Sequence, residues 1–301
     1  MADNELTPYF DPEIASRLSG YSVHARQSKE GSMSGIHKSP HRGASVEFSE
    51  YRDYVPGDDL RRLDWRVFAK TDRFYMKEFE AETNLRGYLV LDASGSMNYR
   101  GDLGESKFDH ARRMASVLAY LLIRQGDAVG VHMSSSRDSV ELPSQRKPSH
   151  LQEVFRVMTQ FEAAGDHSLT ASLHKLAETS RKRGLFLIFS DFFCDVDKLL
   201  AAVQHLKHQK HEVVLFEVLH PRELDFDFSK STRFKDLEGP ADVVVEPNMV
   251  RKQYLKYLNE HLERIKKAAS EFDLDLRRSV AGGDYEKILA EFLGQRMKKG
   301  G

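Results

Sequence analysis

Very little in this chain is available to staple it, anchor it in a bilayer or cradle a phosphate. One cysteine, Cys194, stands alone among 301 residues, so no intrachain disulfide can form and a reducing compartment suits the chain. Cys194 follows two phenylalanines in an apolar stretch, which reads as a small buried hydrophobe rather than a reactive thiol. Long apolar runs are missing too. The longest, residues 117–123, falls far short of the roughly 20 that span a bilayer. Residues 1–10 are polar and acidic and lack the apolar core of a secretory signal. A cytoplasmic protein without membrane insertion is therefore expected. The formal net charge of -1 at pH 7 offers no bulk field for nucleic acid, and no nucleic-acid partner is predicted. No Gly-x-x-x-x-Gly-Lys-Ser/Thr loop occurs, so nucleotide hydrolysis has to come from another chain.

What is present is ordinary globular composition, 40% hydrophobic and 30% charged, in a chain long enough to bury roughly 75% of its unfolded surface. Residues 1–43 read as a flexible arm with a short helix near residues 12–18. The stretch after that helix is rich in Ser, Gly and His and is locally basic. From residue 44 to 84 aromatic and charged residues interleave, with alternation around Val46, Phe48, Phe74 and Met76 that predicts short strands. Pro56-Gly57-Asp58 between them is turn chemistry. This segment reads as a small β unit, with Trp65 in its core.

Residues 85–301 alternate strand and helix. Residues 88–91, 185–189 and 213–219 are apolar runs of the kind buried on both faces of a sheet, and the first two lead into Asp92 and Asp191. Between them, residues 128–133 and 139–142 predict two more strands. Helical spacing appears over 107–124, 150–161, 169–181, 199–206, 250–272 and 284–299. Ser106 and Asp109 predict a capping box, and Gly126 a helix stop. The pattern predicts an α/β fold, a doubly wound, mostly parallel sheet of Rossmann-like type with helices on both faces.

Asp92-Ala93-Ser94-Gly95-Ser96 follows the first of these strands directly. Ligands of open parallel sheets bind beyond the carboxyl ends of strands, where the winding reverses. A strand order of 3-2-1-4-5-6 would make the strands ending at Asp92 and Asp191 neighbours there. Two carboxylates and two hydroxyls would then meet in one cleft, a hard-oxygen set suited to Mg²⁺, or to Mn²⁺ or Ca²⁺. The motif resembles the metal-ion-dependent adhesion site of the von Willebrand A superfamily, with Asp92, Ser94 and Ser96 matching Asp-x-Ser-x-Ser and Asp191 matching the later aspartate. His167 stands where that family usually has threonine, with Ser168 and Thr170 nearby, and Phe192 where a glycine often follows the aspartate.

A longer pattern narrows the resemblance. Glu50-Tyr51-Arg52-Asp53-Tyr54-Val55-Pro56-Gly57-Asp58-Asp59-Leu60-Arg61 and Leu63-Asp64-Trp65 are similar to the signature of one von Willebrand A-like branch, a domain of unknown function associated with MoxR-type AAA+ ATPases. Leu219-His220-Pro221-Arg222-Glu223-Leu224-Asp225-Phe226 and Asp236-Leu237-Glu238-Gly239 fit the same branch. The resemblance implies a non-enzymatic adaptor that works with such an ATPase on client proteins. Arg52, Asp58, Asp59 and Arg61 are then candidates for contact with the partner; the other reading has them form ion pairs that fix the β unit.

Two enzyme readings compete. Asp92 at a strand tip resembles the nucleophile of haloacid-dehalogenase-type phosphatases, which would make the chain a metal-dependent phosphoryl-transfer enzyme. That chemistry needs an acid two residues on, where Ser94 stands. Ser94 as a hydrolase nucleophile lacks the glycine its strained elbow requires at position 92. His205, His208 and His211, spaced by three, could be read as zinc ligands, but the second and third fall near an expected helix end, where imidazoles favour the dipole and solvent.

Overall fold

The computed structural model describes residues 8–23, 46–53, 64–81 and 85–300. They fall into two compact units, one within Met1–Gln27 and Leu85–Gly301, the other within Ser28–Asn84.

The described chain begins with α1 (Pro12–Arg17), capped by the Asp11 carboxylate, which accepts the amides of Glu13 and Ile14 at 2.9 and 3.0 Å. Proline at the first helical position gives up no hydrogen bond there. Ile14, Ala15, Leu18 and Val23 are buried in the main core. Arg17 forms a two-pronged pair with Glu286 at 2.7 and 2.8 Å, and Arg112 donates to the Tyr9 hydroxyl at 2.6 Å. The flexible arm expected over residues 1–43 is thus corrected for its described part: residues 9–23 belong to the main domain. Three large apolar side chains, Ile14, Leu18 and Val23, within ten residues offset the ordering cost that a polar arm could not.

In the smaller unit, β1 (Val46–Asp53) and β2 (Tyr75–Ala81) pair antiparallel from Val46 opposite Ala81 to Asp53 opposite Tyr75, with an irregularity between Phe48 and Glu50. Between them lies α2 (Trp65–Thr71). Phe68 stacks on Phe74 with ring centroids 4.5 Å apart. Trp65, expected in the core, is 59% exposed, and its ring meets that of Phe68 edge-on at 6.1 Å. Arg52 lies in β1 opposite Met76. Asp58, Asp59, Arg61 and the Pro56-Gly57-Asp58 turn lie outside the described residues.

The larger unit is built on six strands: β3 (Arg86–Asp92), β4 (Ala128–Ser134), β5 (Ser139–Gln145), β6 (Leu185–Ser190), β7 (Glu212–Leu219) and β10 (Asp275–Val280). Their spatial order is β10-β7-β6-β3-β4-β5, and only β5 runs antiparallel to its neighbour. Counted within this sheet the order is 3-2-1-4-5-6, so the winding reverses between β3 and β6. Alternate residues of these apolar strands serve opposite faces, as a period of two requires. Leu89, Leu91, Leu187 and Phe189 join one core with α3 (Lys107–Arg124), α4 (His150–Gln160) and α9 (Tyr285–Gly300). Val90, Phe186 and Ile188 join the other with α5 (Leu169–Thr179), α6 (Val196–His208) and α8 (Pro247–Glu271). The capping box at Ser106 and Asp109 is formed in both directions, at 3.0 and 3.1 Å.

Neither the five-residue α7 (Pro221–Asp225) nor β8 (Thr232–Lys235) was expected; β8 forms a hairpin with β9 (Asp242–Val245), which includes residues 243–245, a stretch whose three valines predict a strand. No described helix is long and apolar enough to cross a membrane.

Removing residues 1–23 should lower unfolding free energy by a few kcal/mol, since Ile14, Leu18 and Val23 leave the core together. Urea denaturation measures this; an unchanged midpoint would mean the segment is a loose arm after all.

Candidate functional site

The carboxyl ends of β3, β4 and β6 meet because those strands are neighbours, and the register aligns Asp92 with Ser134. Asp92 closes β3, and the chain turns at once into a short 3-10 segment, Gly95–Asn98. That turn is fixed by Asp92 itself: its Oδ1 accepts the Ser94 amide at 2.9 Å. Across the strand boundary the Ser190 hydroxyl donates to Asp92 Oδ2 at 2.6 Å. The Ser94 and Ser96 hydroxyl oxygens lie 3.1 Å apart. Loop 161–168 holds the turn from the other side, through Gly95 N–H to Gly165 O at 2.8 Å and Ala164 N–H to Ala93 O at 3.0 Å.

Asp191 sits one residue beyond β6 and is also buried, but its environment differs. Oδ2 accepts the Lys107 ammonium at 2.7 Å, and Oδ1 accepts the Phe193 amide at 3.1 Å. Lys107 is fully buried, reaches Glu223 Oε1 at 2.5 Å as well, and lies 4.8 Å from the centre of the Phe193 ring. Burial alone would lower the Lys107 pKa; the two carboxylates outweigh it and hold the group above its ordinary value, so it stays charged. Asp191 is therefore paired with a cation of the chain itself. Asp92 is not: among the described residues its partners are hydroxyls and an amide, never a cation. Burial, and then the nearby Asp191 charge, push Asp92 up to about 6.

Phe192 adopts a left-handed backbone, φ 54°, while its ring is buried in the second core. A left-handed bulky residue costs about 1–2 kcal/mol, which explains why glycine suits that position and why apolar burial can replace it.

His167 and Thr170 do not join Asp92. His167 Nε2 lies 2.8 Å from the Ser134 hydroxyl and 2.9 Å from that of Ser172, while Thr170 pairs with Ser168 at 3.0 Å. His132, its pKa lowered to about 4 chiefly by burial, touches the same Ser134 oxygen at 3.3 Å. This hydroxyl and imidazole cluster forms a second polar ring beside the strand tip. The histidines at 205, 208 and 211 assemble no zinc site: His205 faces His174 at 3.1 Å, and His211 Nδ1 accepts the Gly184 amide at 3.2 Å. No group of three or more His, Cys, Asp and Glu among the described residues is arranged to hold a metal. Cys194 is half-buried with its thiol pushed up to about 12, first by burial, which makes it unreactive.

The donor chemistry left at the turn is oxygen alone: the Asp92 carboxylate with the Ser94 and Ser96 hydroxyls. A buried carboxylate that lacks a cationic partner, beside two converging hydroxyls, fits a small hard divalent ion. The fit runs through three residues rather than five, with Asp191 already paired.

Sequence reasoning missed Lys107, Glu223 and Glu238. Glu223 completes a capping box at the start of α7, accepting the His220 amide at 2.8 Å while it binds Lys107. Glu238 Oε1 accepts the Ser96 amide at 3.2 Å. Both glutamates lie in the two short stretches already singled out, and Lys107 lies beside the capping serine; their charge was the signal.

The raised Asp92 pKa has a definite sign in stability. The folded chain holds this proton more tightly than the unfolded one, whose value is near 3.8. The penalty is absent below about pH 4, grows to about pH 6 and persists above it. With chelator present, Asp92→Asn should therefore gain on the wild type by up to about 3 kcal/mol between pH 4 and 6.5, read from denaturation midpoints. Parallel pH profiles would contradict the assignment.

The model of the family described as "Protein of unknown function DUF58" matches residues 50–264. The uncharacterized protein Rv1480 of Mycobacterium tuberculosis (strain ATCC 25618 / H37Rv) is 29% identical over 234 residues, which cover 76% of this chain and 72% of that protein. The uncharacterized protein YeaD of Bacillus subtilis (strain 168) is 25% identical over 137 residues, 45% of this chain and 31% of its own length. A solved aerotolerance-related membrane protein from Bacteroides fragilis NCTC 9343 aligns at TM-score 0.47 and 16% identity, over 71% of this chain and 99% of its own. The SpRpn10 VWA domain aligns at TM-score 0.41 and 12% identity, over 71% of this chain and 95% of its own. Because that family model matches well over half of the chain, residues 50–264 of 301, the chain belongs to the DUF58 family of proteins of unknown function.

Proposed function

We propose that this chain is a non-catalytic protein-binding adaptor whose strand-tip turn, Asp92 to Ser96, receives a carboxylate from a partner, in concert with a MoxR-type AAA+ ATPase acting on client proteins. The observation that carries the reading is the buried Asp92 carboxylate, which has hydroxyl and amide partners but no cation among the described residues.

Asp92, Ser94 and Ser96 would hold a divalent cation, Mg²⁺ in the first instance, with Asp191 behind them. When bound, that cation supplies a hard positive centre that favours an oxyanion of a partner over a neutral group. The chain's own residues do the rest. Asp92 keeps the turn closed through the Ser94 amide, and the Ser94 hydroxyl meets that of Ser96. Ser190 steadies Asp92 from the neighbouring strand. Lys107 holds Asp191 in place, so that the second carboxylate does not swing toward the first. Around this polar centre Phe193 and Leu237 are each 41% exposed and provide apolar area, the usual division between polar specificity and apolar contact at an interface.

Nothing at the turn favours phosphoryl transfer. Position 94 carries a hydroxyl where a general acid is needed. Recognition without turnover is what the groups support.

Gentle crosslinking followed by affinity capture tests this. In Mg²⁺ the wild type should retain an AAA+ ATPase at least ten-fold above Asp92→Asn or above a chelated sample. Capture indifferent to both changes would defeat the reading. Turnover of a generic phosphoester that disappears in Asp92→Asn would replace it with the enzyme.

A further inference from the structure

The hairpin of β8 and β9 ends on the candidate site. Its pairing runs from Thr232 opposite Val245 to Lys235 opposite Asp242, and the Asp236 amide closes the turn on Ala241 O at 2.8 Å. The hairpin is anchored by aromatic packing: Phe234 stacks on Phe226 at 5.5 Å and meets Phe228 edge-on at 5.1 Å. Phe226 in turn packs on Tyr254 of α8 at 4.4 Å. The tip is different. It is exposed to water and reaches over the Asp92–Ser96 turn.

Two contacts define that reach. A Cβ added at Gly95 would lie 2.0 Å from Leu237 O, so the approach of the two backbones requires glycine at 95. One residue further, the Glu238 carboxylate accepts the Ser96 amide at 3.2 Å. Asp236 shapes the turn that presents it, its Oδ1 accepting the Glu238 amide at 2.9 Å. An aliphatic residue followed by an acidic one on a tight turn thus sits against the same turn that the proposed function assigns to a partner's carboxylate.

We propose that Leu237-Glu238 is an internal ligand: it occupies the strand-tip site in the free protein, and a partner binds by displacing it with an acidic tight turn of the same chemistry. This rests on the reading of the strand tip as a carboxylate receptor, and adds to it what the receptor fits and what holds it closed. The energetics suit exchange. A carboxylate bound to one amide in contact with water is held weakly. The hairpin compensates by preorganisation, since its closed turn already holds Glu238 at the Ser96 amide. Weak free acids are thereby excluded, while a partner with further contacts prevails.

The test is a titration, in Mg²⁺ buffer, of a synthetic peptide with the sequence of residues 234–242, followed at the Gly95 and Ser96 amides by heteronuclear NMR. Wild type and Glu238→Ala are compared; Glu238 is exposed, and equal melting temperatures establish that the variant folds. The proposal expects the variant to bind the peptide at least ten-fold more tightly than the wild type, and to bind a peptide with glutamine in place of its glutamate at least ten-fold less tightly. It also expects faster hydrogen exchange at the Ser96 amide of the peptide-free variant. Equal peptide affinity in both proteins, with shifts at Ser96, would keep the receptor and overturn its internal occupancy. Binding to neither protein would overturn the receptor and the internal ligand together.

Discussion

The Lys107 ammonium, enclosed by Asp191 and Glu223, is the contact on which the strand-tip site depends. Two buried carboxylates at adjacent strand ends would repel, and one of them would have to take a proton. A fully buried lysine on the first turn of α3 eases the conflict by pairing with Asp191. Asp92 is left as the buried carboxylate with no cationic partner among the described residues. Breaking such a buried pair by removing one partner costs about 3–5 kcal/mol, so scaffold and site are the same set of charges.

The capping box places Lys107 at the start of its helix, α7 brings Glu223 to it, and the β8-β9 hairpin brings Glu238 over the neighbouring turn. The two stretches quoted for the family resemblance, around residues 219–226 and 236–239, thus converge on one end of the sheet. His220 reinforces this: its Nε2 donates to Arg100 O at 2.9 Å, and its Nδ1 accepts the Arg222 amide at 3.1 Å. Arg222 then pairs with Asp102 at 2.9 Å. What a family pattern presents as separate motifs is a single connected polar wall.

Most of the fold was legible because strands buried on both faces must be apolar, and helices that cover them must repeat near 3.6. Residues 185–189 and 213–219 could be read from hydropathy alone, as could the α3 boundary from its cap. α7 and β8 escaped because five and four residues, half-exposed, carry too little periodicity. Residues 9–23 were misjudged since three apolar anchors in a polar segment give no long pattern, only a short one that finds a partner in three dimensions. In the site, Asp92, Ser94 and Ser96 were legible as a local motif, and Asp191 through the strand order. Lys107 was not, because its partners lie 84 and 116 residues away along the chain, nor was Glu238, 142 residues from Ser96. His167 was placed at the right loop but bonded to Ser134 and Ser172 rather than to the Asp92 turn.

The most direct measurement of the central claim is anomalous diffraction from crystals grown in Mn²⁺. The account predicts one ion bonded to oxygens of Asp92, Ser94 and Ser96, near the ~2.1 Å typical of small hard divalent cations, with the Lys107 to Asp191 contact kept. No ion at that turn under saturating Mn²⁺, or an ion that draws Asp191 away from Lys107, would contradict it.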